Sequence, residues 1–137
     1  MIDLFVSGAL LLLIDGWTKR SIAVNPRGGV QLGPLLQLRR VATVRRRFTS
    51  HSIRTTLVLL WFAALASSLA LIQSGTAFQS RAALIGIGAA LGGAAGNLIE
   101  MVRSQYVTDF IDFKFWPAFN VADVGIVCGL IAALIFK

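Results

Sequence analysis

The chain has 137 residues, 56% of them hydrophobic, and its mean hydropathy of +0.77 is too high for a soluble fold of this size. Its formal net charge of +7 arises from 13 Lys and Arg against 6 Asp and Glu, and nine of the basic residues lie between Lys19 and Arg54. Nucleic acid is therefore a poor candidate for a partner, and we expect an integral membrane protein whose basic segment meets anionic lipid headgroups.

Four apolar runs predict four transmembrane helices, at about residues 2–18, 55–73, 82–102 and 120–136. The run at 55–73 carries no charge and is long enough to cross about 30 Å of hydrocarbon at about 1.5 Å per residue. Residues 19–54 form a basic extramembrane loop whose Pro and Gly pairs predict turns around a short strand pair or a surface-lying hairpin. The sequence thus predicts a single membrane domain over residues 1–137, all-α apart from this loop, with both termini on one side.

The first run lacks a basic start and a small-residue cleavage site, which argues against a removable signal peptide. At its end, Asp15 and Lys19 are four residues apart and share one helical face, so their charges can pair. The spacing favours a salt bridge at the membrane interface, with Lys19 extending toward the headgroups.

The third run carries a small residue at every fourth position, namely Gly88, Gly92 and Gly96. This pattern lets helix backbones approach closely. Asn97 and Glu100 follow on one face, three residues apart. Polar groups that face a bundle interior are costly, so we expect this pair to brace a polar turn that presents Asp109. The Phe- and Trp-rich segment that follows is typical of an aromatic belt at the interface.

Asp109 lies between the third and fourth runs, and Asp123 lies at the start of the fourth. A carboxylate costs about 2.5–3.5 kcal/mol at a helix centre in a bilayer, so two of them at this boundary need a joint explanation. In aspartic peptidase chemistry, one carboxyl stays protonated and polarises the scissile carbonyl while its ionised neighbour deprotonates a water. The alternative is that both residues are N-caps or solvated loop residues, and the spacing alone leaves both interpretations open.

Other catalytic groups are scarce. Cys128 is the only cysteine and lies in an apolar run, and His51 is the only histidine and lies in the basic loop. Neither a disulfide, a thiolate metal site nor a Cys-His dyad is expected from them. A Ser-His-Asp set would have to use that same histidine, so carboxylates are the chemistry that remains.

The segments GNLIE, VTDFIDF, WPAFNVAD and DGWTK, the last running from Asp15 to Lys19, closely resemble the motifs of the lipoprotein signal peptidases (signal peptidase II). The resemblance spans nearly the whole chain. It implies a four-helix bundle with a small β-cradle, and a membrane aspartyl endopeptidase that removes signal peptides from diacylglyceryl-modified prolipoproteins just before the lipidated cysteine. It also implies a multi-pass protein of the bacterial inner membrane that uses no metal or other cofactor, and we expect a monomer.

By this resemblance, Asp109 and Asp123 are the catalytic pair. The supporting and substrate-binding residues that it implies are Asn97, Asn120, Asp15, Lys19 and Glu100.

Three features depart from the family pattern. Met101 stands after Glu100 where the family has Arg after Asp, and Arg103 is the nearby candidate to substitute. Thr43 and Arg45 in TVRRRF stand where the family has Asn and Gly, which bears on substrate binding at the cradle. The first and third loops hold 11 of the 13 basic residues, so the positive-inside rule opposes the family topology, in which both termini are cytoplasmic. We follow the family topology.

Two other functions compete with the peptidase. A catalytically divergent paralogue would bind lipidated peptides or anionic lipid, as the lost arginine and the TVRRRF segment suggest. A small transporter is the third hypothesis, because four helices with buried charge can line a pathway. The carboxylates cluster at one boundary, however, and no inverted repeat is visible.

Overall fold

A computed structural model describes residues 1–23, 30–31, 34–43 and 50–137 of the chain. The elements run in the order α1 (Ile2–Ala23), β1 (Val30–Gln31), β2 (Leu36–Thr43), α2 (His51–Gln73), α3 (Arg81–Ser104), β3 (Val107–Phe113) and α4 (Val121–Ile135). A mostly helical architecture with a small antiparallel sheet is therefore confirmed. Residues 45–47, which we expected at the lipid headgroups, lie outside the described residues.

Two helices extend beyond their apolar runs into the basic segment. Helix α1 continues past Lys19 to Ala23, and α2 begins at His51, which is therefore a helical residue and not part of a loop. Hydropathy marks the apolar part of a helix, whereas its ends are set by backbone hydrogen bonds and caps. Because α1 continues, Lys19 stands inside a helix and its side chain has a fixed direction.

Helix α3 is the centre of the bundle, with α1 and α4 packed along it and α2 making a smaller contact. Glycines permit this approach on both sides. A Cβ at Gly92 would overlap the backbone of Gly8 on α1, and a Cβ at Gly86 would lie 2.5 Å from the carbonyl oxygen of Gly129 on α4. The small residues of α3 therefore set how closely its two neighbours pack.

We expect Gly92→Ala to destabilise the bundle by about 1–3 kcal/mol, because the new methyl group meets backbone atoms of α1 that cannot move aside alone. The effect is measured as a lower melting temperature in detergent. Gly16→Ala is the matched control, since nothing lies within 4 Å of a Cβ at Gly16 and alanine is the better helix former. Equal melting temperatures for the two variants would contradict close packing of α1 on α3.

Both termini lie at the same end of the helices. Arg81 Nη2 lies 3.1 Å from Asp3 Oδ1, and Ser80 Oγ donates to the carbonyl oxygen of Phe136. The starts of α1 and α3 thus meet the end of α4, so α1 and α3 run parallel and α4 runs antiparallel to them. All three strands connect the opposite helix ends, which we call the sheet end.

The three strands form one antiparallel sheet in the order β1-β2-β3. Strands β1 and β2 are the strand pair anticipated in the basic loop. A turn at residues 105–106 follows α3, but Asp109 lies beyond it on β3, which pairs with β2 from Val107 opposite Thr43 onward. Apolar and polar residues do not alternate along VTDFIDF, so no period of two identifies it as a strand. As a result, Asp109 is held by a backbone ladder and not by a turn.

Two of the described helices, α2 and α3, are long and apolar enough to cross a membrane. Helix α4 is apolar but has 15 residues. No residue of α2 is buried, and large side chains on it such as Leu59, Leu60 and Phe62 are exposed. An exposed apolar surface of this extent is typical of a helix that faces lipid.

Candidate active site

All seven residues predicted for the site meet in one hydrogen-bonded network at the sheet end. We call it the polar network, and its members are Asp15 and Lys19 of α1, Asn97 and Glu100 of α3, Asp109 of β3, and Asn120 and Asp123 at the start of α4. Three of the contributing elements, α3, β3 and α4, follow one another in the chain, and α1 is far from them in sequence. The chain therefore gathers most of its acidic side chains at one end of the helices.

The start of α4 is a capping box. Asn120 Oδ1 accepts the backbone N–H of Asp123 at 3.0 Å, and Asp123 Oδ2 accepts the backbone N–H of Asn120 at 3.1 Å. This arrangement satisfies free N–H groups at the helix start and places a carboxylate where the helix dipole favours negative charge. An N-cap is thus present at the start of α4, as the alternative interpretation predicted. The cap residue is Asn120, and Asp123 is the third residue of the helix.

Asp109 lies on β3, where its side chain is 7% exposed. Asn120 Nδ2 donates to Asp109 Oδ1 at 2.9 Å. Asn120 itself is 0% exposed, so this amide is held rigidly. One asparagine therefore contacts both candidate carboxylates, Asp109 through its side chain and Asp123 through its backbone N–H and its cap. An N-cap role for Asp109 is excluded because it lies within a strand.

Within the polar network, Asn97 connects Lys19 of α1 to Asn120 and Asp123 at the start of α4. Its Oδ1 accepts from Lys19 Nζ at 2.8 Å and from Asn120 Nδ2 at 3.1 Å, and its Nδ2 donates to Asp123 Oδ1 at 2.9 Å. A lysine ammonium can only donate, so the contact with Lys19 fixes which end of the amide is the oxygen. The Asn97 Nδ2 group must then point at Asp123.

Lys19 is buried, at 8% exposure, and does not extend toward the headgroups as its spacing from Asp15 suggested. Its ammonium lies 2.7 Å from Asp15 Oδ2, 3.0 Å from Glu100 Oε2 and 2.8 Å from Asn97 Oδ1. Three N–H donors thus meet three acceptors. The predicted salt bridge with Asp15 is thus present, but the ammonium is buried, and its desolvation cost is offset by this complete pairing.

Asp15 also links α1 to α4. The residue is 1% exposed, and its Oδ1 accepts the backbone N–H of Ala122 at 3.0 Å. This N–H belongs to the first turn of α4, beside the capping box. No pattern in the sequence identifies such a contact, because its donor is a backbone group 107 residues away.

Thr108 is a part of the site that sequence reasoning missed. Its Oγ1 donates to Glu100 Oε1 at 2.6 Å and its backbone N–H donates to Glu100 Oε2 at 3.2 Å. Glu100 therefore ties the start of β3 to α3, directly beside Asp109. We expected Glu100 to brace this segment, and the hydroxyl next to Asp109 was the available signal for its partner.

A cavity of about 710 Å³ lies between α2, α3 and α4 and reaches the polar network. Asp109, Asp123 and Asn97 all line it. Much of the remaining lining is apolar and includes Leu60, Trp61, Leu91, Leu98, Ile126 and Leu130. The cavity thus joins a mainly apolar surface to two carboxylates. It suits a mainly apolar ligand that carries a polar bond close to the carboxylates.

The two other reactive side chains lie away from this site. His51 is exposed at the first residue of α2, where its Nδ1 lies 3.5 Å from Thr55 Oγ1. Cys128 is exposed on α4. Neither lines the cavity.

Comparison with known proteins identifies the family of this chain. The family model described as signal peptidase (SPase) II matches residues 8–137. The chain belongs to the signal peptidase II family. It is similar to the lipoprotein signal peptidase of Oleidesulfovibrio alaskensis, with 35% identity over 136 residues that cover 91% of this chain and 87% of the relative. The corresponding protein of Rhodococcus jostii is 33% identical over 141 residues, which cover 96% of this chain and 70% of the relative.

A solved structure shares the fold of this chain. It is a bacterial membrane enzyme determined by the in meso method, with a TM-score of 0.77 and 22% sequence identity. The similarity covers 99% of this chain and 92% of the other.

The residues that depart from the family motifs have the following places in the structure of this chain. Met101 is buried and lines the cavity, whereas Arg103 is exposed and does not, so Arg103 does not substitute for the missing arginine. The cation beside Glu100 is Lys19. Thr43 lies at the end of β2, and position 45 lies outside the described residues.

Proposed function

We propose that this chain is a membrane aspartyl endopeptidase that removes signal peptides from diacylglyceryl-modified prolipoproteins, with Asp109 and Asp123 as the catalytic pair. One observation carries the proposal: both carboxylates line one cavity whose other walls are mainly apolar. Membership of the signal peptidase II family supports a peptidase, and the names of its relatives support a lipoprotein precursor as substrate.

The proposed reaction divides two tasks between the carboxyl groups. The ionised carboxylate takes one proton from a water whose oxygen attacks the scissile carbonyl carbon. The protonated carboxyl donates a hydrogen bond to the carbonyl oxygen and stabilises the charge that develops there. When the C–N bond breaks, a proton passes from the pair to the leaving amine nitrogen. The scheme balances with one water consumed and uses no metal.

The polar network holds both carboxyl groups in place. Asp109 Oδ1 accepts from the Asn120 side chain, and the two oxygens of Asp123 accept from Asn97 Nδ2 and from the Asn120 backbone N–H. In the proposed reaction the two carboxyl groups share one proton, so the roles of base and acid belong to the pair.

The membrane arrangement follows from the same proposal. We assign four spans within one domain of 137 residues, a monomer in the bacterial inner membrane, and both termini in the cytoplasm. In this arrangement, anionic lipid headgroups bind the Arg-rich segment. The location of both termini at one end of the helices supports an even number of crossings.

A reporter fused after Lys137 tests this orientation. We expect the fusion to report the cytoplasm and a tag in the basic segment to report the outside, although 11 of the 13 basic residues lie in the first and third loops and favour the reverse. The measurement is enzymatic activity of compartment-specific reporters in intact cells. An extracytoplasmic Lys137 would place the carboxylates in the cytoplasm and make maturation of exported precursors untenable.

A catalytically divergent binder is the second candidate, favoured by Met101 and by the departures at positions 43 and 45. Incubation of purified protein with a diacylglyceryl-modified precursor in excess separates the two functions. The peptidase releases many product molecules for each protein molecule, whereas a binder retains intact precursor. An unmodified precursor serves as the control for the lipid.

A further inference from the structure

Gln105, the residue that ends α3, has an unusual backbone conformation. Its φ of 63° and ψ of 10° lie in the left-handed region, and its N–H donates to the carbonyl oxygen of Met101 at 3.0 Å. Glycine makes this type of helix end without a steric cost, whereas a Cβ is unfavourable there. The side chain is exposed, so burial does not account for glutamine at this position.

Gln105 lies where its side chain can contact a ligand in the cavity. Gln105 lines the same cavity as Met101, Tyr106 and Asp109. The left-handed turn redirects the chain from α3 into β3, four residues before Asp109. Strained backbone positions are found preferentially at functional sites.

The side-chain amide of Gln105 has hydrogen-bonding capacity that the side-chain amide of Asn97 lacks. Both ends of the Asn97 amide are engaged, by Lys19 and Asn120 at Oδ1 and by Asp123 at Nδ2. Among the described residues, by contrast, the side-chain amide of Gln105 makes no hydrogen bond. A primary amide offers two donors and an acceptor, which match the carbonyl and N–H of a peptide group.

We propose that Gln105 is a substrate-binding residue that hydrogen-bonds to the main chain of the substrate beside the scissile bond. This inference rests on the proposed peptidase function. It also explains why a less favourable residue than glycine stands at the end of α3: its side chain contacts substrate.

Three substitutions separate the side chain from the backbone conformation. Gln105→Ala removes the amide and keeps the Cβ, Gln105→Gly removes both, and Gln105→Asn keeps a shorter amide. We expect the alanine and glycine variants to raise KM for a lipid-modified precursor by roughly fivefold to tenfold with kcat little changed, and the asparagine variant to be intermediate. Ser104→Ala, an exposed neighbour that does not line the cavity, keeps the parent KM.

Thermal unfolding supplies the second measurement. Gln105→Gly should melt at or above the parent temperature, because glycine relieves the left-handed strain, and Gln105→Ala should not. Parent-like KM values in the alanine and glycine variants would overturn the inference. A glycine variant that melts well below the parent would also overturn it, because glutamine would then be retained for stability.

A binding measurement keeps this inference separate from the proposed function. If the parent bound a lipid-modified peptide but cleaved nothing, the peptidase proposal would fail, and Gln105 would be tested by the dissociation constant of that peptide. Weaker binding by Gln105→Ala, by the same roughly fivefold to tenfold, supports the contact. Equal binding, or no binding by the parent, refutes it.

Discussion

We expect Asp109→Asn and Asp123→Asn each to lower the rate of precursor cleavage by a factor on the order of 10³ or more. An amide is nearly the same size as a carboxyl group, but it cannot accept a proton from water or donate one to the leaving amine. In Asp109→Asn the new amide oxygen can still accept from Asn120, whereas in Asp123→Asn one of the two accepted N–H contacts is lost, because the new NH2 group faces a donor. The measurement is kcat/KM for a diacylglyceryl-modified precursor, beside membrane insertion and melting temperature as tests of folding.

Asp112→Asn is the matched control, because Asp112 lies on β3 three residues after Asp109 and does not line the cavity. It should keep most of the activity. Equal inactivation of all three variants would mean that the catalytic pair is misassigned, and an active Asp109→Asn or Asp123→Asn would remove that residue from the mechanism.

The second large effect concerns stability. Lys19→Met leaves Asp15 and Glu100 beside each other without the cation that both contact. Breaking a buried ion pair on one side costs about 3–5 kcal/mol, because the remaining charge stays buried and uncompensated. We therefore expect the free energy of unfolding in detergent to fall by about that amount, with loss of cleavage. Thermal and denaturant unfolding measure it.

Lys114→Met is the control for this substitution. Lys114 is exposed in the segment after β3, so its replacement should change the free energy of unfolding by less than about 0.5 kcal/mol. A Lys19→Met protein as stable as Lys114→Met would show that Lys19 is not the centre of the polar network.

The four helices could be predicted from the sequence because each contains a long apolar run, which is a local signal. The strand pair in the basic segment carries weaker local signals, its turns. Strand β3 carries none, since its residues do not alternate and its pairing partner β2 lies more than 60 residues earlier. Long-range pairing of that kind is decided by tertiary structure and is not visible in a single segment.

The members of the site were predictable, but several of their contacts were not. Motif residues such as Asp109, Asn120 and Asp123 are identified by their resemblance to a family. The burial of Lys19, the clamp from Glu100 to Thr108 and the left-handed Gln105 depend on how α1, α3 and β3 meet. Spacing along one helix shows which side chains share a face but not what that face contacts.

The most direct measurement is the mass of the products that purified protein releases from a diacylglyceryl-modified prolipoprotein, in detergent or lipid, with and without a chelator. Two products are expected in both conditions, an intact signal peptide and a fragment that begins at the lipidated cysteine, formed by the parent and not by Asp109→Asn or Asp123→Asn. Intact precursor after incubation with the parent, or cleavage only without the chelator, would contradict the proposed mechanism.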